Sequence, residues 1–323
     1  MTNPETGGGS SAALATVLGV GAIVLWSTVF AFSRSLAEQV GPITNGSYTY
    51  LAAGTLGCLW ALVRSRGASP LRGLTWRYAA GCGGLFVVYT VAIYLAIGLA
   101  EGRRQTIVAG IINYLWPGLT LVLAVPILGK RARPWLIPGA IVAFAGVALT
   151  MAAGAGFTWD GLREAVAGNR FPYAMALVAA VSWALYSNLI GRWADESAPA
   201  AVPLFMLATG LVMTLLRLVR PEESHWSARA VAEFAYLTLG PTLLAYSFWE
   251  FAMRRGRATL VVSVSYLTPI LSTIISSVYL GVGLGPGLWV GCALVFAGAW
   301  VCRRSIIEPK NVETRVVQGG QEP

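Results

Sequence analysis

The sequence predicts an all-α integral membrane protein, with ten transmembrane helices arranged as two inverted five-helix repeats. Three observations carry that expectation. Apolar residues make up 56% of the 323-residue chain and charged residues only 11%, too little charge to cover the surface of a soluble domain. Apolar stretches of about 18–23 residues follow one another, and at ~1.5 Å per residue each can cross a ~30 Å hydrocarbon core. Residues 94–148 also recur without a gap at residues 246–300, with 15 identities among the 55 positions, more than shared composition produces. Duplication in an apolar chain points first to transport.

Taken in order, residues 1–12 are a Gly/Ser-rich, disordered cytoplasmic N-terminus without the basic region of a signal peptide, so the first apolar segment is a retained helix. The predicted spans are 13–34, 46–64, 77–99, 106–126 and 135–152 in the first repeat (13–152). A periplasmic loop (153–171) follows, with Trp159, Asp160, Arg163 and Glu164, for which the sequence suggests no role. Spans 172–190, 200–219, 230–252, 259–280 and 286–302 form the second repeat (172–303), and a polar tail (304–323) ends the chain. Pro117, Pro126, Pro138, Pro241 and Pro269 lie inside these spans. A membrane bundle tolerates them because neighbouring helices satisfy the freed carbonyls.

Basic residues set the orientation. With both termini cytoplasmic, 15 Lys and Arg fall inside, among them Lys130, Arg131, Arg133, Arg303 and Arg304, and 8 fall outside. That asymmetry is the one expected of loops beside spans. Five spans per copy is an odd number, so the second copy lies upside down relative to the first. The charges agree: Lys130-Arg131-Ala132-Arg133 aligns with the uncharged Val282-Gly283-Leu284-Gly285, whereas the loop near Arg103 gains Arg254-Arg255-Gly256-Arg257 as its counterpart. Inverted repeats are the architecture of alternating access, with the substrate held near the midplane.

Several function classes are excluded or weakened. The net charge of +9 belongs to loop topology, because no basic helix face or aromatic-basic motif stands outside the spans to bind nucleic acid. Cys58, Cys82, Cys292 and Cys302 lie in or beside apolar segments without paired spacing, so they read as small core residues. His225 is the one histidine, so no metal cluster can be assembled and no cofactor is expected. An intramembrane enzyme would need a catalytic pair at depth, and neither a metal cluster nor a GxGD motif occurs.

Charges are nearly absent from the span centres. Glu250, Glu101, Glu233, Arg34 and Arg217 lie near predicted span ends. Glu250 sits one helical turn before Arg254, which suits an interfacial ion pair; the alternative is a cavity-facing coupling carboxylate. Aromatic residues occupy the depths instead. Trp60, Trp76, Trp135, Trp193, Trp226 and Trp289 lie near span ends, where an interfacial belt accounts for them. Trp26, Trp116 and Trp183 fall near midpoints and Trp249 deeper than a belt requires, accompanied by Tyr89, Tyr94, Tyr114, Tyr186, Tyr246 and Tyr266. Such residues either pack helices or line a cavity. Aromatic walls offer ring contacts of roughly 0.5–1.5 kcal/mol per pair and hold ammonium groups by cation–π attraction. Asn113, Asn188, Ser265 and Thr268 add neutral hydrogen-bonding groups, which suits a zwitterion with an aromatic side chain. Pro117 and Pro269 occupy matching positions and read either as a paired pivot or as static bends. The runs Gly139–Gly146 and Gly291–Gly298 read as close helix packing, with a dimer face as the further option.

Over residues 13–303 the chain resembles the EamA-type tandem-repeat members of the drug/metabolite transporter superfamily. Trp26 and Trp183 in the opening helices and the Pro117/Pro269 pair carry the likeness. The run Asn113-Tyr114-Leu115-Trp116-Pro117 resembles the bacterial aromatic amino acid exporters of that superfamily. The resemblance implies an inner-membrane exporter of aromatic and other neutral amino acids, monomeric or homodimeric in the bilayer, with Tyr89, Tyr94, Tyr114, Trp116 and Trp183 lining its cavity. The small multidrug members carry an acidic residue in their first helix, where this chain has Trp26 and no acid, so facilitated export is expected over proton exchange. The rival is a proton-coupled multidrug exporter of hydrophobic cations working through Glu250. A receptor without transport activity is the remaining option.

Overall fold

The computed structural model describes residues 6–64, 74–154, 168–193, 201–255, 261, 264–265, 267–283 and 285–307. Tyr266 and most of the 153–171 loop lie outside the described residues, as do the side chains of Glu250 and Arg254.

The described residues are helical almost throughout. In order come α1 (Thr6–Ser27), α2 (Val29–Val40), α3 (Pro42–Arg64), a π-helical turn (Tyr78–Cys82) leading into α4 (Gly83–Gly98), α5 (Arg103–Asn113) and α6 (Trp116–Leu128). After the two-residue strand β1 (Arg131–Ala132) come α7 (Leu136–Gly154), α8 (Phe171–Trp193), α9 (Ala201–Val219) and α10 (Ala228–Leu237). A second π-helical stretch (Thr238–Leu244) joins α10 to α11 (Ala245–Arg255). The described residues end with α12 (Thr268–Leu280), α13 (Pro286–Ser305) and β2 (Ile306–Ile307). Among the described residues, six helical segments are long and apolar enough to cross a membrane: Ala13–Val40, Tyr78–Gly98, Arg103–Leu128, Phe171–Ile190, Ala201–Val219 and Pro286–Ser305.

Several crossings are interrupted. The segment from α5 to α6 turns at Tyr114 and Leu115, and α6 starts with Pro117 in its first turn. A proline there forfeits an N–H that has no intrahelical partner anyway. Pro269 occupies the same place in α12. The two breaks share backbone detail: Leu115 N–H donates to Ile112 O at 3.0 Å and Leu267 N–H to Val264 O at 2.9 Å. The turn makes each break, and the proline starts the next half-helix. Both half-helices then end on a left-handed glycine, Gly129 at φ 64° and Gly281 at φ 65°, a conformation costly for residues with a Cβ.

Glycine decides the closest packing. A Cβ on Gly139 would stand 3.0 Å from Gly298 O and 2.9 Å from Cys302 N, and one on Gly146 would stand 2.7 Å from both Gly291 O and Val295 N. Helices α7 and α13 therefore run antiparallel with backbone against backbone. The α3 and α9 pair does the same, Gly54 facing Leu207 N and Gly210 facing Leu51 N, each at less than 2.5 Å from a would-be Cβ. Within α7 and α13 these glycine faces pack against each other inside the one chain, the close helix packing expected of these runs. Around these two pairs, α4 packs along α8 and α1 along α11, while α5 and α6 pack on α8.

Exposed apolar residues coat the outside, among them Val63, Trp76, Trp135, Ile137, Leu218, Val219 and Val278. A soluble protein rarely shows so continuous an apolar exterior, and here lipid is its solvent. Trp60, Trp135 and Trp226 are exposed near helix ends, whereas Trp193 is half-buried beside Gly81.

Replacing Gly298 by Leu forces side-chain atoms into the backbone of Ala143, where even a Cβ would lie within 2.4 Å. The expected result is a loss of at least ~1–3 kcal/mol, read as a lowered thermal midpoint in detergent. Gly84→Ala, with nothing within 4 Å of the new Cβ, leaves the midpoint unchanged.

Candidate functional site

The centre of the molecule is aromatic. The Trp183 ring on α8 has Tyr89 at 4.6 Å, Tyr186 at 5.0 Å, Tyr246 at 6.1 Å, and Trp26, Phe86 and Trp116 each at 6.4 Å between centroids. Trp26 extends the cluster to Trp249 at 5.2 Å and Tyr246 at 5.1 Å. Its indole Nε1–H donates to Pro241 O at 3.0 Å, tying α1 to the π-helical stretch before α11. A π-helical insertion misaligns carbonyls from the helix ladder, and such stretches gather at functional positions. Most of these rings meet edge-on or tilted, the geometry their quadrupoles favour. Trp183, Tyr186 and Tyr246 are buried, and Tyr89 and Trp116 pack against the same core.

The remaining predicted residues divide. Tyr94 reaches the cluster through Tyr50, 5.8 Å away, and Tyr50 in turn contacts Phe86. Tyr114 lies to one side against Phe30 at 5.9 Å, lining a narrow crevice with Gly110, Ser272, Thr273 and Ser276. Asn188 donates its amide to backbone, to Thr120 O at 3.0 Å and Ala184 O at 2.8 Å, and so ties α8 to α6. Asn113 is different: it is buried, and its Oδ1 has no partner within hydrogen-bond distance. A buried amide oxygen left bare costs of the order of 1–3 kcal/mol, a deficit that a ligand donor can remove. Ser265 and Thr268 are buried beside the second break. Glu250 belongs to α11 one turn before Arg254, and the side chains of that pair lie outside the described residues.

Sequence reading missed two sets of residues. Phe86, fully buried, joins Tyr50, Tyr186, Phe205 and Tyr246. Its spacing of three from Tyr89 placed both on one face of a helix, a signal available in the sequence. The second set is polar and lies where α2 ends and α5 begins. Glu233 was placed near a span end, yet its side chain is only 3% exposed. Its Oε1 accepts from Ser35 Oγ at 2.8 Å, Arg229 Nε at 2.7 Å and the Tyr279 hydroxyl at 2.7 Å, and its Oε2 from Gln39 Nε2 at 3.1 Å. One carboxylate thereby joins α2, α10 and α12. Nearby, Glu38 accepts from Arg34 at 2.9 Å and Arg103 at 2.7 Å, and Arg103 also donates to Leu280 O at 2.8 Å. Glu222 completes this end by accepting from Ile43 N and Thr44 N at the start of α3.

Fold and centre together define a polytopic helical membrane protein whose two halves meet around a buried aromatic cluster. The chain belongs to the EamA-like transporter family, whose pattern matches residues 13–152 and again residues 170–304. The chain is similar to the aromatic amino acid exporter YddG of Salmonella typhimurium, at 30% identity over 89% of this chain and 96% of that protein. It is 33% identical to the exporter of the same name from Ancylobacter novellus, again over 89% and 96% of the two chains. The uncharacterized inner membrane transporter YedA of Escherichia coli is 23% identical over 91% and 93%. A crystal structure of a protein 31% identical superposes with a TM-score of 0.63, over 90% of this chain and 97% of that one.

Glu233→Ala leaves the Ser35, Gln39 and Tyr279 donors without their acceptor, at about 1–3 kcal/mol for each that water cannot reach. Its thermal midpoint in detergent is expected to fall well below that of Glu38→Ala, which removes a carboxylate 29% exposed whose ion pairs water already screens.

Proposed function

We propose that this protein exports aromatic and other neutral amino acids across the inner membrane, by alternating access between two inverted five-helix halves and without a coupling ion. The observation that carries the reading is the composition of the cluster around Trp183. The first half supplies Trp26, Phe86, Tyr89 and Trp116, and the second supplies Trp183, Tyr186, Tyr246 and Trp249. A flat side chain entering there exchanges ring–ring contacts for ring–substrate contacts of similar strength, about 0.5–1.5 kcal/mol each, so binding and release both stay cheap. The bare Asn113 Oδ1 is suited to accept from an ammonium group, and three relatives bear the name aromatic amino acid exporter.

Support for inversion comes from the packing. A shift of 152 positions turns Gly139 and Gly146 into Gly291 and Gly298, and each glycine of α7 packs against the counterpart of the other. Equivalent helices that touch antiparallel are what a twofold axis in the membrane plane produces. The contacts of α4 with α8 and of α1 with α11 form an exchangeable pair under the same operation. In this reading residues 13–152 and 172–303 are the halves, ten spans cross the bilayer, and both termini are cytoplasmic. Pro117 and Pro269 serve as pivots at the two matched breaks. The Glu233 and Glu38 networks close the periplasmic end.

The test is counterflow of labelled phenylalanine in proteoliposomes, with and without a pH gradient. The reading predicts saturable exchange that ignores the gradient. Trp183→Ala lowers it by on the order of tenfold or more, the equivalent of ~1.4 kcal/mol, and Pro117→Ala with Pro269→Ala lowers the maximal rate more than the apparent affinity. Exchange that requires the gradient removes the facilitative mechanism, and absence of phenylalanine exchange removes the substrate class.

A further inference from the structure

We infer that the end of the molecule where α7 begins and α13 ends is a binding site for the headgroup of an anionic phospholipid. Sequence alone puts Lys130, Arg131 and Arg133 some 170 residues away from Arg303 and Arg304. The β1–β2 ribbon removes that distance: Arg131 pairs with Ile307 and Ala132 with Ile306, and Arg133 N–H donates to Ser305 O at 2.7 Å. Just beyond, Cys302 Sγ–H donates to Leu136 O at 3.4 Å. Five cationic side chains thus share one short ribbon and the last turn of one helix. Among the described residues, none of them forms an ion pair; the three ion pairs present involve Arg34, Arg103 and Arg229. Lys130, Arg131, Arg133 and Arg304 are exposed.

Two further features select a phospholipid over a soluble anion. Directly below the patch, α7 presents Ile137, Ile141 and Phe144, all exposed and spaced four and three residues apart on one helical face. That strip offers acyl chains a track leading away from the charges. Beside it, exposed Trp135 and the Trp300 ring, which lies under the Arg304 guanidinium at 5.2 Å, mark the depth at which headgroups sit. The site is also one-sided. The counterpart of residues 130–133 is 282–285, which carries no charge, and the positions matching Arg303 and Arg304 are Met151 and Ala152. Duplication therefore leaves the opposite end of the α7/α13 pair without a patch, which confines the lipid to one leaflet. Basic residues at such a surface each contribute about a fivefold preference for anionic lipid.

Native mass spectrometry of the full-length protein, offered equal amounts of phosphatidylglycerol and phosphatidylcholine with identical chains, tests the assignment. The wild type is expected to retain phosphatidylglycerol preferentially, and excess inorganic phosphate is expected not to displace it. Arg303→Gln with Arg304→Gln should weaken phosphatidylglycerol retention roughly 25-fold, two steps of about fivefold, while phosphatidylcholine retention stays unchanged. If that variant does not fold, Lys130→Gln with Arg131→Gln probes the same patch from its other strand. Equal retention of the two lipids by the wild type, or an undiminished preference in the folded variants, overturns the assignment. Displacement by phosphate overturns it too, because the site would then take a free anion.

Discussion

Backbone meets backbone where α7 crosses α13 and where α3 crosses α9, and the rest of the molecule is arranged around those two contacts. Inside a bilayer, apolar burial gives no driving force between helices, since lipid tails are as apolar as leucine. Close approach through glycine substitutes for it, gaining dispersion contacts along the helix pair. Gly139, Gly146, Gly291 and Gly298 fix one pair and Gly54 and Gly210 the other. Because these pairs allow no side chain between them, they can hardly slide. Around them stand α1, α2, α4, α5, α6, α8, α10, α11 and α12, and several of these crossings are interrupted.

Those surrounding helices carry the chemistry. Their aromatic side chains fill the centre, and their polar ends knit together through Glu233 and Glu38, while Glu222 holds the start of α3. The two kinds of contact differ in how they change. Ring packing is soft: tilted and edge-on arrangements interconvert at small cost. The Glu233 network is stiffer by comparison, because a buried carboxylate deprived of its donors loses far more than a displaced ring does. A soft centre thus lies beneath a stiffer polar end.

Sequence carried much of this. The 152-residue repeat located both broken crossings, and the Pro117/Pro269 and Gly129/Gly281 pairs have matching backbone conformations in the structure. Depth along the spans picked out Trp26, Trp116, Trp183 and their tyrosines, because an aromatic far from the interface needs a protein or ligand neighbour. Other features were illegible for definite reasons. Asn113 and Asn188 look alike in sequence, and only the packing shows one amide spent on backbone carbonyls and the other left with a bare oxygen. Glu233 looked like an interfacial charge because its donors Ser35, Gln39 and Tyr279 come from distant spans. Likewise, the glycine runs gave close packing but not their partner, which is each other.

A substrate site at the aromatic centre that opens to each side in turn must be reachable from both faces of the membrane. The most direct measurement places a single cysteine at Asn113, in a background where Cys58, Cys82, Cys292 and Cys302 are replaced by serine or alanine. Its reaction with a membrane-impermeant thiol reagent is followed from either face of the vesicle. The account predicts reaction from both faces, slowed by phenylalanine on each. A cysteine that reacts from neither face while the protein transports phenylalanine, or that reacts identically with and without it, would contradict the claim.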